Sequence, residues 1–255
     1  MSKLTLFTIE KKQLLISIIV GLVLAGIWAG WFRQPSTSVV SAGDGLVAVR
    51  APQSLAEAFL KTVRDSENTW QEITGSAVIT YDLGSEGVQI VKQTFAIRQP
   101  WQGNVSTQQF YADGNLMADI VWETDGKTIT ITDNANKTTE RQELPAGVFE
   151  TGPVLADGQE LNLIMPNRFG MMMTPPLGDY LFPTPLLLSR GGVMQYVGEA
   201  RIAERSAYQM EWYIHPEDQP VQFWVDMETG IILKMIRPDG EKQSTTIELT
   251  RLEVK

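Results

Sequence analysis

The pattern of apolar and polar positions changes character three times along the chain. Residues 13–32, "QLLISIIVGLVLAGIWAGWF", carry no charge. Residues 54–71, "SLAEAFLKTVRDSENTWQ", place Leu55, Ala58, Phe59 and Val63 at helical spacing, which predicts an amphipathic helix of about four turns. Ser54 and Glu57 form an S-x-x-E capping-box pattern at its start. From residue 73 the period shortens. "ITGSAVITYD", "VQIVKQTFAIRQ", "NVSTQQFYAD", "LMADIVWETD" and "KTITITDN" read as short strands rich in Val, Ile, Thr and aromatics. The Asp-Gly pairs at 113–114 and 125–126 mark hairpin turns.

The alternation stops at 145–192. Within that interval "FGMMMTPPLGDYLFPTPLLL" joins three consecutive methionines to Pro175, Pro176, Pro183 and Pro185. Proline fixes φ and removes a backbone donor, so neither a regular helix nor a strand accounts for the stretch. Strands resume with "MQYVGEARIAERSAYQMEWYIHP", "VQFWVDMETGIILKMIRPDG" and "STTIELTRLEVK". The order is helix, meander, irregular insert, second meander. Consecutive hairpins give an antiparallel sheet, and a sheet this large with one main helix must curl to bury a face.

The uncharged run 13–32 would rise about 30 Å as a helix, the thickness of a bilayer hydrocarbon core. Lys11 and Lys12 flank it on one side; Trp28, Trp31 and Phe32 crowd the other. The positive-inside rule then places the N-terminus in the cytoplasm and the large domain outside, as a single-pass protein of the cytoplasmic membrane. A cleaved signal peptide is the rival, with "VSA" at 40–42 as its cleavage site near Ala42. The expected organisation is residues 1–33 as cytoplasmic stub and anchor, 34–53 as a Gly/Pro-punctuated linker, and 54–255 as the extracytoplasmic domain. A flexible linker of that length spans roughly 25 Å.

Charge narrows the partners. The first 33 residues carry a net of +3, and the other 222 hold 17 Lys/Arg against 29 Asp/Glu, a net of −12. That balance repels a phosphate backbone, so no nucleic-acid partner is expected. The chain has no cysteine, which removes disulfides, thiolate metal sites and cysteine nucleophiles together. His215 is the lone histidine and sits in "YIHPEDQP", a polar turn pattern. No G-x-S-x-G, H-E-x-x-H or Walker motif is present. "DNANK" at 133–137 lacks the further acidic ligands of a calcium loop and reads as a turn. The expectation is a protein without catalytic residues, metal or cofactor.

The methionine-rich insert is where binding chemistry concentrates. Methionine is unbranched and polarizable, so a cluster of them adapts to apolar ligands of varied shape. Long loops inside a compact domain are often lids or binding loops; packing onto the core is the plain alternative. The candidate cavity or lid residues are Met165, Met171, Met172, Met173, Leu177, Leu181, Phe182, Leu186 and Leu187, with Ile79, Phe95 and Ile97 from the first strands.

Three stretches carry a resemblance. "DGKTITITDNANKTTERQELP" ending at Pro145, "VGEARIAERSAYQMEWYIHP" followed by "VQFWVDMETGIILKMIRPDG", and "FAIRQPWQGNVS" resemble strand pairs of the LolA-like lipoprotein-carrier superfamily, in the branch nearest RseB-type regulatory proteins. The resemblance covers most of 54–255. It implies an α+β fold: a strongly curved antiparallel sheet, a half-open β-barrel, wrapped around an N-terminal helix, with an irregular or helical lid insert. It also implies an apolar cavity for a lipid, an acyl chain or a lipoprotein. The chain departs from the pattern in its anchor at 13–32, in lacking a lipid-bearing cysteine, and in having Glu204 where many relatives have glycine. Two functions follow: a membrane-anchored, lipid-binding carrier, or a regulatory module that senses envelope state and binds a membrane-protein partner. A connected apolar cavity favours the first, and a filled core with an exposed apolar strip favours the second.

Overall fold

The computed structural model describes residues 38–41, 47–99, 102–111, 113–144, 176–189, 191–240 and 242–255. The chain divides into two units, Met1–Thr37 and Ser38–Lys255, and the second holds all the described elements. Among the described residues no helix is long and apolar enough to cross a membrane; residues 13–32 lie outside them.

Among the described residues thirteen strands form one sheet. They are β1 (Ser38–Ser41), β2 (Val47–Ala51), β3 (Glu72–Asp82), β4 (Val88–Arg98), β5 (Gln102–Phe110), β6 (Leu116–Thr124), β7 (Thr128–Asp133), β8 (Thr138–Glu143), β9 (Gly192–Ile202), β10 (Arg205–Tyr213), β11 (Val221–Asp226), β12 (Ile232–Pro238) and β13 (Ser244–Val254). The order across the sheet is β1-β2-β9-β10-β11-β12-β13-β3-β4-β5-β6-β7-β8. Both meanders therefore meet at β13 and β3, so the last strand of the chain joins them. Every neighbouring pair is antiparallel except β2 and β9. Register shifts at Gln209/Met210, Trp224/Val225, Leu249/Arg251 and Gln109/Phe110 bend the strands. The result is a strongly curved, half-open barrel whose edges β1 and β8 do not pair with each other.

Two strands lie inside the segment expected to be a linker, 34–53. Val47, Val49 and Ala51 of β2 are buried at 0–1% exposure and extend the sheet beside β9. These buried positions alternate with Ala48 and Arg50, a period-two run too short to read against the Gly and Pro around it.

Helix α1 (Gln53–Asp65) buries Ala56, Phe59, Leu60 and Val63, an i, i+3, i+4, i+7 stripe. Ala58, expected in that stripe, is exposed. The capping box does not form. Pro52 is the N-cap, with its carbonyl accepting from the Leu55 and Ala56 amides at 2.9 and 3.0 Å. Its fixed φ starts the helix early enough to put Ser54 inside the first turn, and Glu57 accepts from Gln53 Nε2 instead. Phe59 meets the Tyr208 ring edge-on at 5.7 Å and the Phe223 ring at 6.4 Å, so α1 lies in the concave face over β10 and β11. Gly230 touches the other end of α1. A Cβ there would meet the Thr62 carbonyl oxygen at 2.4 Å, which requires glycine.

Candidate functional site

Cross-strand register assembles the concave face. One row runs Tyr196, Met210, Phe223, Met235, Ile247, Ile79 and Val91 across seven strands. A second runs Leu249, Ala77, Gln93, Thr107 and Ile120. A third runs Gly75, Phe95, Val105, Trp122 and Ile131. Paired residues share a face because the pleat has period two. The β4 and β5 part of the face carries Gln89, Gln93, Thr107 and Gln109, and the same face holds Thr245 on β13 and Thr124 on β6. Gly75 is bare because the Phe95 ring and the Arg251 carbonyl both lie 2.5 Å from where its Cβ would stand.

Residues 177–189 fill the concavity as two short helices, α2 (Leu177–Leu181) and α3 (Thr184–Ser189). Leu177, Tyr180, Leu181, Leu187 and Leu188 are at most 1% exposed, and Phe182 is 3% exposed. Leu186 is half-buried against the same core. The prolines explain the break: Pro176 caps α2, and α3 restarts after Pro183. This pair of helices forms a plug. Ile79, Phe95 and Ile97, expected to line a cavity, are buried at 0–3%. Met165, Met171, Met172 and Met173 lie outside the described residues.

Polar links tie the plug to the sheet and to α1. The Tyr180 hydroxyl donates to Gln93 Oε1 at 2.8 Å, and Gln93 Nε2 donates on to Thr107 Oγ1 at 3.2 Å. Gln93, Thr107 and Tyr180 are 1%, 8% and 0% exposed. Burial pushes the Tyr180 phenol well above its ordinary pKa. Thr184 Oγ1 donates to the Val63 carbonyl of α1 at 2.7 Å. Trp70 stacks at a tilt against Phe182, with ring centroids 5.5 Å apart, and its buried Nε1 has no hydrogen-bond acceptor.

The sequence offered a signal for part of this set. In "VQIVKQTFAIRQ" the inward positions read Val91, Gln93, Phe95, Ile97, so Gln93 interrupts an apolar series. Nothing local pointed to Tyr180 as its partner, 87 residues away.

The convex face carries a different feature. Ile90, Phe110 and Leu116 are in register on adjacent strands. Ile90 and Leu116 are 36% and 49% exposed, beside Val88 at 38% and Met117, in the bulge, at 42%. Lys92 Nζ lies 5.0 Å from the Phe110 ring centroid. A hollow of about 340 Å³ at the opposite end of β5–β7 is polar, lined among others by Asn104, Glu123, Asp125, Thr130 and Arg141.

The remaining sequence candidates are turns. His215 is exposed, and its carbonyl accepts from the Asp218 amide. "DNANK" closes the β7–β8 hairpin. Asp133 accepts from the Asn136 backbone amide, which holds its carboxyl below the ordinary range. Ala203 and Glu204 have φ of 49° and 64°, the left-handed region that suits glycine. Asp226, 1% exposed, accepts from Arg205, from the Glu228 and Thr229 amides and from the Thr229 hydroxyl. That charged hydrogen bond is the main cause raising the Arg205 pKa. The set clamps the β11–β12 turn.

No family model and no curated protein matches the chain. Solved structures do. MucB is 18% identical over 79% of this chain and 59% of its own, at a TM-score of 0.40. This chain therefore spans about three fifths of MucB. LprF from Mycobacterium bovis is 11% identical over 76% of this chain and 91% of its own, at 0.40. A LolA superfamily protein from Nitrosomonas europaea is 9% identical over 78% of this chain and 93% of its own, at 0.33.

Proposed function

We propose that this chain is a membrane-tethered, extracytoplasmic module that holds the acyl chain of a lipid or lipid-modified protein against the concave face of its sheet. One observation carries the reading. The apolar concavity is filled by a short plug, 177–189, which buries six large apolar or aromatic side chains. An acyl chain is the chemical equivalent of such a plug. Removing sixteen methylenes from water gains about 13 kcal/mol at about 0.8 kcal/mol each. Six buried plug side chains at about 1.5–3 kcal/mol each are worth about 9–18 kcal/mol. The two are close enough for one to replace the other.

In this reading residues 13–32 anchor the chain in the cytoplasmic membrane. Met165, Met171, Met172, Met173, Leu177, Leu181, Phe182, Leu186 and Leu187 form the acyl-contacting set, with Ile79, Phe95 and Ile97 as the floor that the plug uncovers. No catalytic step is assigned. The test is photo-crosslinking of the full chain in its membrane with a diazirine fatty acyl lipid. Labelled peptides from β3–β6 and 177–189 support the reading. Labelling confined to 13–32 sinks it.

A second reading has its own observation. The exposed row Ile90, Phe110 and Leu116 suits a regulatory module that docks on a membrane-protein partner. MucB, similar in fold, is known in complex with MucA.

A further inference from the structure

The sheet has a step in its edge. β2 lies beside β9 only at residues 192–195. Beyond that, among the described residues, 196–202 have β10 on one side and no strand on the other. Two residues, Ala203 and Glu204, join β9 to β10, with φ of 49° and 64°. A two-residue turn with both φ positive makes its flanking residues, Ile202 and Arg205, a hydrogen-bonded pair. The antiparallel ladder alternates from there, so Ala200 and Gly198 also bond to β10. Glu199 and Arg201 therefore turn their amides and carbonyls outward, to the open edge. Their side chains are exposed and, two residues apart, share one face. Natural sheets guard such an edge with charge, most often lysine, and charges of one sign repel a second copy. Here the two charges are of opposite sign, with Ala200 between them.

We infer that this open edge pairs with the same edge of a second copy of the chain, β9 against β9, about a two-fold axis at Ala200. In an antiparallel pair, opposed residues that bond must both present their backbone groups to the partner. Glu199 and Arg201 do so here, which leaves three symmetric registers. Two of them set Glu199 opposite the partner's Glu199, or Arg201 opposite the partner's Arg201. Like charges directly opposite destabilise a sheet. The third sets Glu199 opposite the partner's Arg201 and Arg201 opposite the partner's Glu199. Each pairing then exchanges both backbone hydrogen bonds and adds an ion pair, and the symmetry supplies each twice. The same register sets Gly198 opposite the partner's Ile202. A Cβ on Gly198 would have nothing within 4 Å, so an isoleucine side chain has open space to enter. Ala200 and Ile202 are partly buried apolar residues that the pairing covers further. The contact is small beside the about 800 Å² per partner of a stable free dimer, so it is weak and reversible. It stands apart from whatever the concave face holds.

The chain has no cysteine, so one introduced thiol reports one contact. The experiment uses the purified full chain, briefly oxidised with copper phenanthroline, and reads the covalent dimer on a non-reducing gel. Ala200→Cys puts the thiols on the axis, in a non-hydrogen-bonded pair whose Cα separation of about 4.5 Å suits a disulfide. It is expected to cross-link about tenfold faster than Thr94→Cys, an exposed mid-sheet position that reports random collision. Glu199→Cys and Arg201→Cys alone are expected to stay at the collision rate, because each faces the other residue of the partner subunit. Mixed together, those two chains are expected to cross-link with each other. In the Ala200→Cys chain, Glu199→Arg is expected to slow cross-linking about tenfold, as two attractive pairs become repulsive. Mixing it with an Ala200→Cys chain carrying Arg201→Glu is expected to restore the rate as a mixed pair, which a fault within one copy would not do. Ala200→Cys cross-linking no faster than Thr94→Cys overturns the inference. So does fast cross-linking of Glu199→Cys or Arg201→Cys alone, which means like charges opposed, or a rate that survives Glu199→Arg. Should Ala200→Cys fail to fold, the mixture of Glu199→Cys with Arg201→Cys decides: a rate no higher than that of either alone rejects the pairing.

Discussion

The two halves of the sheet solve the same packing problem differently. On the β9–β13 side α1 lies over β10 and β11, where the Phe59 contacts with Tyr208 and Phe223 hold it, and α2 of the plug reaches β12. The turn below is clamped by Arg205, Asp226 and Thr229, and Thr69 Oγ1 reaches the Thr229 carbonyl at 3.0 Å. Here the buried Asp226 and Thr229 are tied to each other within the turn, and Ser66 Oγ lies 3.4 Å from Thr184 Oγ1 of the plug. From β4 to β6 the floor carries Gln93 and Thr107, and Gln93 accepts from Tyr180 on a broken, proline-punctuated plug. The opposite face of the same strands leaves Ile90 and Leu116 open. A half closed by local hydrogen bonds is a scaffold. A half closed by a distant segment is where exchange costs least, and binding elements come from such low-stability regions.

The largest effect is expected on the scaffold. Asp226→Ala leaves Arg205 without its main partner and two turn amides unsatisfied. The expected loss is about 3–5 kcal/mol, the cost of breaking a buried pair from one side. A chemical-denaturation curve measures it, and a loss comparable to that of an exposed pair such as Arg98–Glu72 would erase the contrast between the halves.

Gly75→Ala tests the seam at β3, where both meanders meet. Its Cβ would overlap Phe95 and the Arg251 carbonyl, both at 2.5 Å. Overpacking of this kind costs about 1–3 kcal/mol. A single cooperative transition shifted by that amount says the halves unfold together; two transitions say they do not.

Alkaline pH separates the plug from the scaffold. The folded Tyr180 phenol ionises above its ordinary value of 10.0, chiefly because burial removes its water. Such a group stabilises fully below that ordinary value, and the contribution is lost as pH rises through the higher folded value. Tm is expected to fall above pH 10, and Tyr180→Phe should flatten part of that fall. Identical alkaline profiles would show that the plug does not sense the pH.

The smallest stability effect is expected on the convex strip. Ile90→Ser and Leu116→Ser each change stability by less than about 0.5 kcal/mol, as surface substitutions do. Acyl-probe labelling of the concave face should be unchanged in both. If labelling disappears while Tm holds, the strip belongs to the ligand path, and the assignment of the two faces is wrong.

Much of this architecture was legible in the residues. The alternation in "ITGSAVITYD" and "VQFWVD" marks strands, and Asp-Gly at 113–114 and 125–126 gives turns whose glycines have φ of 83° and 86°. Other features were not legible. Pro52 rather than Ser54 begins α1, because a fixed proline φ outweighs a side-chain cap. β2 hid inside an apparent linker, because five residues carry too little periodicity to stand against the punctuation around them.

Local sequence determined which positions face inward, because the pleat and the helical turn impose fixed periods on any chain. It could not determine what each inward position meets. Gln93 and Tyr180 lie 87 residues apart, and nothing near either names the other. Their bond exists because β4 and β5 present a polar stripe at the depth where the plug enters. The same holds for Gly75, whose lack of a side chain has a reason only once Phe95 and the Arg251 carbonyl close over it. The tertiary structure decided both, because close packing is a property of surfaces brought together, and each surface is built from strands far apart in the chain.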